Sequence, residues 1–353
     1  MNGSDMKKAL FIRRDNIGDL VCTTPAIRAL KLARPECSVA VLVNSYNADI
    51  VANNPDIDRV FVYEKAKHSE GASFSAHLKN LALLMRLRGE RFDAAIACSY
   101  DYSRRAARLA FLSGARLRVG YASAKDSSAS LFLNRRLPAP PNGLHEVEAV
   151  MGLLAPFGVG GRPPKMVLNP APLEREKALL YLKRLGLKNP EDAVIFQISS
   201  RKPENRWPLE RYRELGALID ERLRLPVILL WSPGDSGNRF HPGDDRAAEW
   251  LISNMKSKPF PYRTENLQEL VAVMSAGAIA VTPDGGAMHI AAALGKPIVA
   301  VWGSTDPVKW SPWGVDHLIL QKGSRKASDV TAEEGFSALQ SLLSDAGQKE
   351  RLI

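Results

Sequence analysis

The sequence predicts two α/β domains, each a doubly wound parallel sheet with helices on both faces. Short apolar runs typical of buried strands alternate with segments of helical periodicity, and this alternation occurs twice along the chain. A stretch rich in glycine and proline separates the two series. The 353 residues fit two domains, because a typical domain has roughly 100–200 residues. Two such domains facing one another would hold their ligand in a cleft at the carboxyl ends of the strands.

The first half alternates strands and helices from its beginning. Residues 8–14, KALFIRR, predict a strand, residues 15–19 a polar turn and residues 20–33 a helix. Residues 77–88 predict an amphipathic helix that stops at Gly89, after a polar loop over 65–75. Further strands are predicted at 37–44, 59–64, 93–99 and 116–121, and further helices at 47–53, 102–112 and 145–157.

The boundary between the domains is expected where the composition changes. Residues 158–164 read GVGGRPP and residues 169–172 read NPAP, which is typical of a linker. We therefore predict domains over 1–165 and 166–353, with the alternative that the terminal helix packs back on the first domain. In the second domain, strands are predicted at 192–199, 226–232, 278–283 and 297–303, and helices at 173–185, 209–221, 267–276, 286–294 and 331–346.

The charge balance points to an anionic partner. The formal net charge is +10, while the apolar fraction of 45% is that of an ordinary globular protein. Nucleic acid, an anionic membrane surface or a phosphorylated substrate would each fit this charge, and the alternative is a basic, well-solvated surface. Nucleic acid is the weakest of these partners, because no clustered basic face with interleaved aromatic residues is evident.

Cysteine usage and hydropathy indicate the compartment. Three cysteines, an odd number without metal-ligand spacing, fit a reducing compartment. No secretory signal and no run of the roughly 20 apolar residues that a spanning helix needs is evident. We expect a cytoplasmic protein that is soluble or at most lies on a membrane surface.

The first candidate site is RRDNIGD, residues 13–19, between the first strand and the first helix. Gly18 permits a tight turn. Asp19 is expected near the helix N-terminus, where the helix dipole keeps a carboxylate ionised and able to accept a proton. The alternative is that Asp15 or Asp19 only caps the helix. The segment is not a G-x-G-x-x-G fingerprint, which argues against a dinucleotide site here.

The second candidate site follows the strand that opens the second half. Ser199 and Ser200 can hydrogen-bond to phosphate oxygens, and Arg201, Lys202 or Arg206 can neutralise the charge that develops on a leaving diphosphate. The alternative is an exposed basic loop.

The third candidate site is TPDGGAMH, residues 282–289, where a buried strand meets an alanine-rich helix. Its small residues let the amides of the helix start approach an anion. Asp284 can cap the helix or bind a hydroxyl group, and His289 lies one turn into the helix. The alternatives are a tight strand–helix turn and a satisfied core histidine, but the acid and the histidine framing the glycine pair favour an anion site.

Three further groups carry less information. GSTDP, residues 303–307, also follows a strand and either closes over a ligand or forms an ordinary turn at Asp306. His241 with Asp244 and Asp245 is more typical of a solvated loop than of a metal site, so no metal is predicted. Cys22 lacks a matching histidine pattern and is not expected to be a nucleophile.

Together these segments resemble glycosyltransferase family nine, the heptosyltransferases of lipopolysaccharide core assembly. FIRRDNIGDLVCTTPAIRALK (11–31) is similar to the opening block of the family, and DGGAMHIAAALGKPIVAVWGSTDP (284–307) to its donor-binding block. RVGY (118–121), NRWP (205–208) and LQELVAVMSAGA (267–278) are weaker similarities. Both main blocks, in order and in opposite halves, make the resemblance specific.

The resemblance implies a GT-B fold of two Rossmann-like domains and assigns roles to individual residues. It makes Asp19 the catalytic base, and it places the nucleotide part of the donor against Asp284, Gly285, Gly286, Ala287 and His289. Ser199 and Ser200 match the hydroxyl pair that holds the donor phosphates. Asn205 departs from the pattern, because the family commonly has a phosphate-binding lysine there, so we assign that charge to Lys202 or Arg206. We assign the ribose to Asp235 and the acceptor side to Arg14, Gly18 and Arg118.

The function that follows is a metal-independent, inverting transfer of heptose from ADP-heptose to a lipopolysaccharide inner-core acceptor. No cofactor is expected, because the nucleotide sugar is a substrate. The acceptor would be an anionic glycolipid met at the cytoplasmic face of the inner membrane. The alternatives are transfer of another nucleotide sugar or to a protein acceptor, and a GT-B nucleotide-sugar epimerase, which would need additional acids that the sequence does not reveal.

Overall fold

The structure is a computed structural model that describes residues 6–64, 73–235, 237 and 243–350, with the backbone alone for 73–77 and 346–350. The chain divides into two compact units, Met1–Leu168 and Asn169–Ile353. Within the described ranges, no helix is both long and apolar enough to cross a membrane.

The first unit is a six-stranded parallel sheet with its connecting helices. Its strands are β1 (Lys8–Ile12), β2 (Ser38–Asn44), β3 (Arg59–Tyr63), β4 (Ala94–Ala97), β5 (Leu117–Tyr121) and β6 (Arg135–Leu137). Its helices are α1 (Ile17–Val21), α2 (Thr24–Ala33), α3 (Ser73–Gly89), α4 (Arg104–Leu112), α5 (Ala129–Phe132) and α6 (Glu146–Gly152). The spatial order of the strands is β3-β2-β1-β4-β5-β6, and every pair is parallel.

The second unit repeats this architecture. Its strands are β7 (Val194–Gln197), β8 (Val227–Trp231), β9 (Phe260–Arg263), β10 (Ile279–Pro283), β11 (Ile298–Trp302) and β12 (His317–Gln321). Its helices are α7 (Pro172–Arg184), α8 (Leu209–Arg222), α9 (Asp245–Asn254), α10 (Leu267–Ala276), α11 (Gly286–Ala293), α12 (Pro307–Trp310) and α13 (Ala332–Glu350). The spatial order is β12-β11-β10-β7-β8-β9, again all parallel.

Both sheets therefore have the strand order of a dinucleotide-binding Rossmann fold. The chain winds outward from the first strand in one direction and then returns to the middle to wind in the other direction. The switch point lies between β1 and β4 in the first unit and between β7 and β10 in the second. Ligands of open α/β sheets bind beyond the carboxyl ends of the strands at such a point.

The interior strands are buried on both faces, as their continuous apolar sequences require. Every residue of β8 (VILLW) and of β11 (IVAVW) is buried. Terminal helix α13 belongs to the second unit through its buried apolar residues: Phe336, Leu339 and Leu342 join the core that contains Trp207. The Trp207 indole nitrogen donates a hydrogen bond to the carbonyl of Val330, which fixes the chain just before this helix.

The strands that the sequence did not predict, β6, β9 and β12, are all at sheet edges. Edge strands pair on one side only and need fewer apolar residues. Strand β6 reads RRL, and β9 contains Pro261, which lacks an amide hydrogen and is tolerated only at an edge. The helix predicted over 20–33 begins earlier, at Ile17, and is interrupted after Val21, so α1 and α2 share its range. Helix α9 was not predicted, and its first residue, Asp245, belongs to the segment that was interpreted as a solvated loop.

Helix α3 has the expected position but not the expected amphipathic character. Its buried face includes Leu83 and Leu87, whereas Leu78, Leu81 and Met85 are more than half exposed on the opposite face. An ordinary surface helix would present polar residues there.

Candidate functional site

The predicted site segments follow strands, so they lie at the carboxyl edges of the two sheets. In the first unit, residues 13–19 follow β1, next to the switch point. In the second unit, residues 199–206 follow β7 and residues 284–289 follow β10, and these two strands flank the switch point. The segment after β11 and Asp235 after β8 lie at the same edge.

Asp19 is the third residue of α1, whose N-cap is Asn16. Its Oδ2 accepts hydrogen bonds of 3.0 Å from the Asn16 backbone and 3.0 Å from the Asn16 side chain. This is the reciprocal half of a capping box, which satisfies amides that a helix start otherwise leaves without a partner. The carboxylate therefore has the capping role that the sequence allowed as an alternative. That role does not exclude chemistry, because Oδ1 faces a different partner.

The partner of Asp19 Oδ1 is the buried guanidinium of Arg13, at 2.5 Å. The same Arg13 nitrogen donates to Glu146 Oε1 at 2.7 Å, and the other terminal nitrogen donates to the carbonyl of Cys98 at 3.0 Å. Arg13 is only 3% exposed and Glu146 only 1%. A guanidinium that joins the ends of β1 and β4 to the start of α6 holds Asp19 in one orientation.

This arrangement determines the protonation of the Asp19 carboxyl group. Burial by itself would raise the pKa of Asp19, but the charge of Arg13 and the hydrogen bonds from Asn16 and Arg13 outweigh burial and lower it. Burial acts against the charge of Arg13 as well, and Asp19, Glu146 and Asp15 together raise its pKa well above the ordinary value. The pair is ionised at neutral pH, with the carboxylate ready to accept a proton or to face a developing positive charge.

The residues assigned to the acceptor side are in two places. Gly18 is a buried residue of α1, directly before Asp19. Arg14 stacks its guanidinium over the Tyr63 ring at 4.8 Å, and its backbone carbonyl accepts a hydrogen bond from Asn44. Arg118 lies in β5 and donates hydrogen bonds to the carbonyls of Phe132 and Ala115. Arg14 therefore lies at the carboxyl edge near Asp19, while Arg118 is engaged in the local structure of β5 and α5.

In the second unit, Asp284 joins three loops at the switch point. Its Oδ2 accepts a hydrogen bond of 2.9 Å from Asn205 Nδ2, and the side chain of Thr305 also donates to it. Its backbone carbonyl accepts a 3.5 Å hydrogen bond from Ser200 Oγ. Burial raises the pKa of Asp284, while Thr305, Lys202 and Asn205 act in the opposite direction. The loops after β7, β10 and β11 thus meet at this one carboxyl group.

The polar residues of the loop after β7 have different partners. Ser199 Oγ accepts a hydrogen bond of 2.9 Å from the backbone amide of Ser232, so it ties this loop to the end of β8. Arg206 forms a two-point ion pair with the buried carboxylate of Asp244. Lys202 is exposed and close enough to Asp284 to influence its pKa. Of the two cations assigned to the phosphates, Arg206 is thus held by a protein carboxylate and Lys202 is exposed at the edge.

The start of α11 has the features of an anion site. Its N-cap is Gly285, which has no side chain to accept hydrogen bonds from the first amides of the helix. A Cβ atom built on Gly285 would meet nothing within 4 Å, so there is open space beside the backbone at this point. Gly286 and Ala287 are the first two helical residues. His289, on the next turn, is 3% exposed, and its ring makes an edge-to-face contact with Trp310 at 6.0 Å.

Asp235 and the acids after it form the far side of this edge. Asp235 is exposed, accepts a 2.7 Å hydrogen bond from the amide of Gly237 and lies 3.9 Å from the Arg246 guanidinium. Asp245 is engaged by Arg263, Trp231 and the Gly234 amide, and the hydrogen bond from Arg263 is the largest influence that lowers its pKa to about 2. Asp306 caps α12 through the amide of Val308, so it forms a turn as one of the two alternatives expected.

In the described part of the chain, no three His, Cys, Asp or Glu side chains come close enough to hold a metal ion. His241, considered as a metal ligand on sequence, lies outside the described residues. Sequence reasoning missed Glu146 and Thr305. Glu146 is the first residue of α6 and lies far from Arg13 in sequence, and the packing of α6 against α2 brings it to the end of β1. Thr305 was inside a segment considered for closure, but its contact with Asp284 depends on the tertiary structure.

Comparison with known proteins gives the class of this molecule. It is similar to lipopolysaccharide heptosyltransferase 3 of Escherichia coli strain K12, with 24% identity over 95% of this chain and 98% of the relative. Its fold matches a glycosyl transferase family 9 structure from Veillonella parvula with a TM-score of 0.82, 20% identity and coverage of 98% and 99%. It also matches E. coli heptosyltransferase WaaC with ADP, with a TM-score of 0.74, 22% identity and coverage of 95% and 99%. The two Rossmann units form a GT-B fold, that of a glycosyltransferase.

The family follows from the sequence itself. Residues 80–338, more than half of the chain, match glycosyltransferase family 9 (heptosyltransferase). The chain belongs to this family, which confirms the resemblance inferred from its two main sequence blocks.

Proposed function

We propose that the protein transfers heptose from ADP-heptose to a lipopolysaccharide inner-core acceptor, with inversion at the anomeric carbon and without a metal ion. The observation that carries this proposal is the chemistry at the two carboxyl edges. One edge presents an ionised, rigidly held carboxylate, Asp19, and the other presents an uncapped helix start with open space beside Gly285. The first is suited to proton acceptance and the second to a diphosphate. Membership of the heptosyltransferase family and similarity to lipopolysaccharide heptosyltransferase 3 support heptose as the transferred sugar.

The donor binds the second domain, residues 166–353. The amides of Gly286 and Ala287 and the hydroxyls of Ser199 and Ser200 donate hydrogen bonds to the diphosphate, and Lys202 neutralises the charge that grows on it as the bond to the sugar breaks. Arg206 contributes indirectly, since its pairing with Asp244 orders the loop that carries Lys202. His289 supports the helix start from within.

Asp284 and Asp235 bind neutral parts of the donor. A buried carboxylate would repel a diphosphate, so Asp284 is better suited to sugar hydroxyls, which can donate to it as Asn205 and Thr305 do. Asp235 follows β8, the neighbour of the first strand of its sheet, which is where Rossmann folds carry the acid that binds a ribose hydroxyl.

The acceptor binds the first domain, over residues 1–165. Its hydroxyl gives its proton to Asp19, the oxygen forms a bond to the anomeric carbon from the face opposite the leaving group, and the bond to ADP breaks with the electron pair going to the diphosphate. The low pKa of Asp19 makes it a weak base. Most of the catalysis must therefore come from positioning and from stabilisation of the leaving group.

Arg14 is the residue that we assign to an anionic group of the acceptor. Burial lowers the pKa of its guanidinium, Tyr63 and Asp15 act to raise it, and Arg105 and Arg108 of α4 lower it further. The three basic residues outnumber the single acid Asp15, which favours a bound anion at this edge of the first sheet. Gly18 allows the tight backbone turn before Asp19. Arg118 supports the first unit through its hydrogen bonds to the carbonyls of Phe132 and Ala115. These assignments account for the net charge of +10 by an anionic glycolipid acceptor. The cytoplasmic protein meets this acceptor at the inner membrane surface.

A screen of donors by thermal denaturation tests the proposal. A ligand that binds the folded state raises its stability in proportion to the logarithm of the ligand excess. We expect ADP-heptose and ADP to raise the melting temperature, and UDP and GDP sugars to leave it unchanged. A preference for a UDP sugar would contradict the proposed donor, and formation of an epimer from the donor alone would favour the epimerase.

A further inference from the structure

Helix α3 carries an exposed apolar ridge. Leu78, Leu81 and Met85 are 52%, 55% and 62% exposed. At 3.6 residues per turn, positions 78, 81 and 85 lie above one another on one face. The opposite face is fixed in the core of the first unit, because Leu83 and Leu87 pack in a cluster with Phe61 and Phe92. The exposed ridge is therefore the side of the helix turned away from the protein.

The rotation of α3 is fixed by polar contacts as well as by packing. Asn80 accepts a 3.0 Å hydrogen bond from the backbone amide of Glu64 and donates a 3.0 Å hydrogen bond to the carbonyl of Glu64. Because Glu64 directly follows β3, these contacts attach the helix at the carboxyl edge of the sheet. Leu78 and Leu81 thus lie near the edge that carries Asp19 and Arg14.

Basic residues border the ridge on both sides. Lys79 and Arg86 fall on one side of it and Arg88 on the other, and all three are exposed. The helix, SFSAHLKNLALLMRLRG, contains no aspartate or glutamate. An apolar ridge between basic borders is the pattern of a helix that lies in a membrane interface, with its apolar side chains among the acyl chains and its cations at anionic headgroups.

We propose that the exposed face of α3 docks the protein on an anionic lipid bilayer. The charge of the helix selects this occupant, because a surface rich in anionic headgroups complements Lys79, Arg86 and Arg88. The inference deepens the proposed membrane location and rests on it. Docking through α3 would bring the carboxyl edge of the first sheet close to the bilayer, where a glycolipid presents its sugars.

A second helix provides a matched control. Helix α7 also exposes leucines, with Leu173 at 61%, Leu180 at 48% and the adjoining Leu185 at 40%. Glutamates 174 and 176 lie among them and repel anionic headgroups, although the helix also carries Arg175, Lys177, Lys183 and Arg184. The two helices therefore expose similar apolar groups, and they differ in that α3 has no acid beside its cations.

The test is flotation of the full chain with vesicles of phosphatidylethanolamine and phosphatidylglycerol, compared with vesicles of phosphatidylcholine alone. We expect binding to the anionic vesicles and a decrease of at least about tenfold in the partition coefficient for the variant L78Q/L81Q/M85Q. The control L173Q/L180Q/L185Q should bind as the wild type does. The variant K79Q/R86Q/R88Q should lose about fivefold per charge on anionic vesicles.

The measurement needs neither donor nor acceptor, so its failure can be distinguished from failure of the transfer reaction. Circular dichroism and ADP binding show that each variant is folded. Failure of the wild type to bind anionic vesicles would overturn the proposal, as would equal losses for the α3 and α7 variants. Light scattering that shows a wild-type dimer converted to a monomer by L78Q/L81Q/M85Q would also overturn it, because a second copy would then cover the ridge.

Discussion

The Asp19 carboxylate has two duties that are usually separate. It closes a capping box at the start of α1 and forms an ion pair with a guanidinium that is shared with buried Glu146. The first duty fixes its position and the second keeps it ionised. In the proposed role of base, a carboxylate held in this way is weak but has little freedom to lose when the acceptor binds, which favours catalysis by positioning.

Substitution of Asp19 by asparagine tests its role as the base. The amide keeps the size and part of the capping geometry but cannot accept the acceptor proton. We expect kcat to fall by roughly 10²- to 10⁴-fold, with ADP affinity unchanged. Steady-state kinetics and calorimetric titration of ADP would measure both quantities.

Asp15→Asn is the matched control for that experiment. Asp15 lies 3.5 Å from Arg13 Nε, so this variant removes a carboxylate charge beside the same guanidinium. It should reduce kcat far less than Asp19→Asn does. Equal losses in the two variants would mean that the charge around Arg13 matters and that Asp19 is not the base.

The lowered pKa of Asp19 also predicts how stability depends on pH. The folded-state pKa is below the unfolded value of about 3.9. The ion pair therefore stabilises the folded state above that value, and the stabilisation is lost as the pH falls through the lower, folded-state pKa. The difference in unfolding free energy between wild type and Asp19→Asn should be constant near neutral pH and shrink below about pH 4. Urea unfolding at a series of pH values would measure it, and a difference that shrinks already near neutral pH would contradict the assignment.

The two cations after β7 should behave differently when they are replaced. Lys202→Met removes the exposed charge proposed to meet the diphosphate, so we expect kcat to fall by roughly 10- to 100-fold with little change in stability. Arg206→Met leaves the buried carboxylate of Asp244 without its ion pair, so it should cost about 1–3 kcal/mol of unfolding free energy. Kinetics and urea unfolding of both variants separate the two effects. Loss of activity without loss of stability in Arg206→Met would reverse the two assignments.

At the scale of elements, the proposed donor site depends on close contact between two loops. The loop after β11 is fixed by the Trp302 indole and the Gln321 side chain, which donate to backbone carbonyls of residues 303–305. A Cβ atom on Gly303 would lie 2.3 Å from Asn205 Oδ1 and 2.4 Å from the carbonyl of Glu204. Glycine is therefore required here for the loops after β7 and β11 to meet around Asp284.

Gly303→Ala should separate these two loops. We expect a loss of roughly 1–3 kcal/mol in unfolding free energy from overpacking, together with weaker ADP binding, because the loop that carries the proposed diphosphate ligands Ser199, Ser200 and Lys202 must move. Gly323→Ala is the control, since a Cβ atom there would meet nothing within 4 Å. Calorimetry and urea unfolding would give both quantities, and wild-type ADP affinity in Gly303→Ala would show that the contact does not shape the donor site.

The elements differ in how far the sequence could predict them. Interior strands such as β2 and β10 were predicted because burial on both faces requires continuous apolar runs. The edge strands β6, β9 and β12 were missed because pairing on one side imposes no such pattern. At the sites, the position of each segment after a strand was predictable from local order. The contacts of Arg13 with Glu146 and of Asp284 with Thr305 were not, because residues distant in sequence make them.

At the scale of the whole molecule, one sheet topology is used twice for different chemistry. Both units have the same strand order and place their site segments at the switch point. The first unit presents buried ion pairs and basic residues there, and the second presents a glycine-framed helix start and hydroxyl groups. Membership of a glycosyltransferase family fits this difference between the two units, because a transferase must bind two different substrates.

Transfer itself is the most direct test of the central claim. The wild-type protein would be incubated with ADP-heptose and a lipopolysaccharide acceptor that lacks inner-core heptose, in the presence of EDTA, and the acceptor mass and the anomeric configuration of the product would be measured. We predict addition of one heptose with inverted configuration, and loss of this product in Asp19→Asn. An acceptor left unchanged by ADP-heptose but extended from another nucleotide sugar, or a product of retained configuration, would contradict the claim.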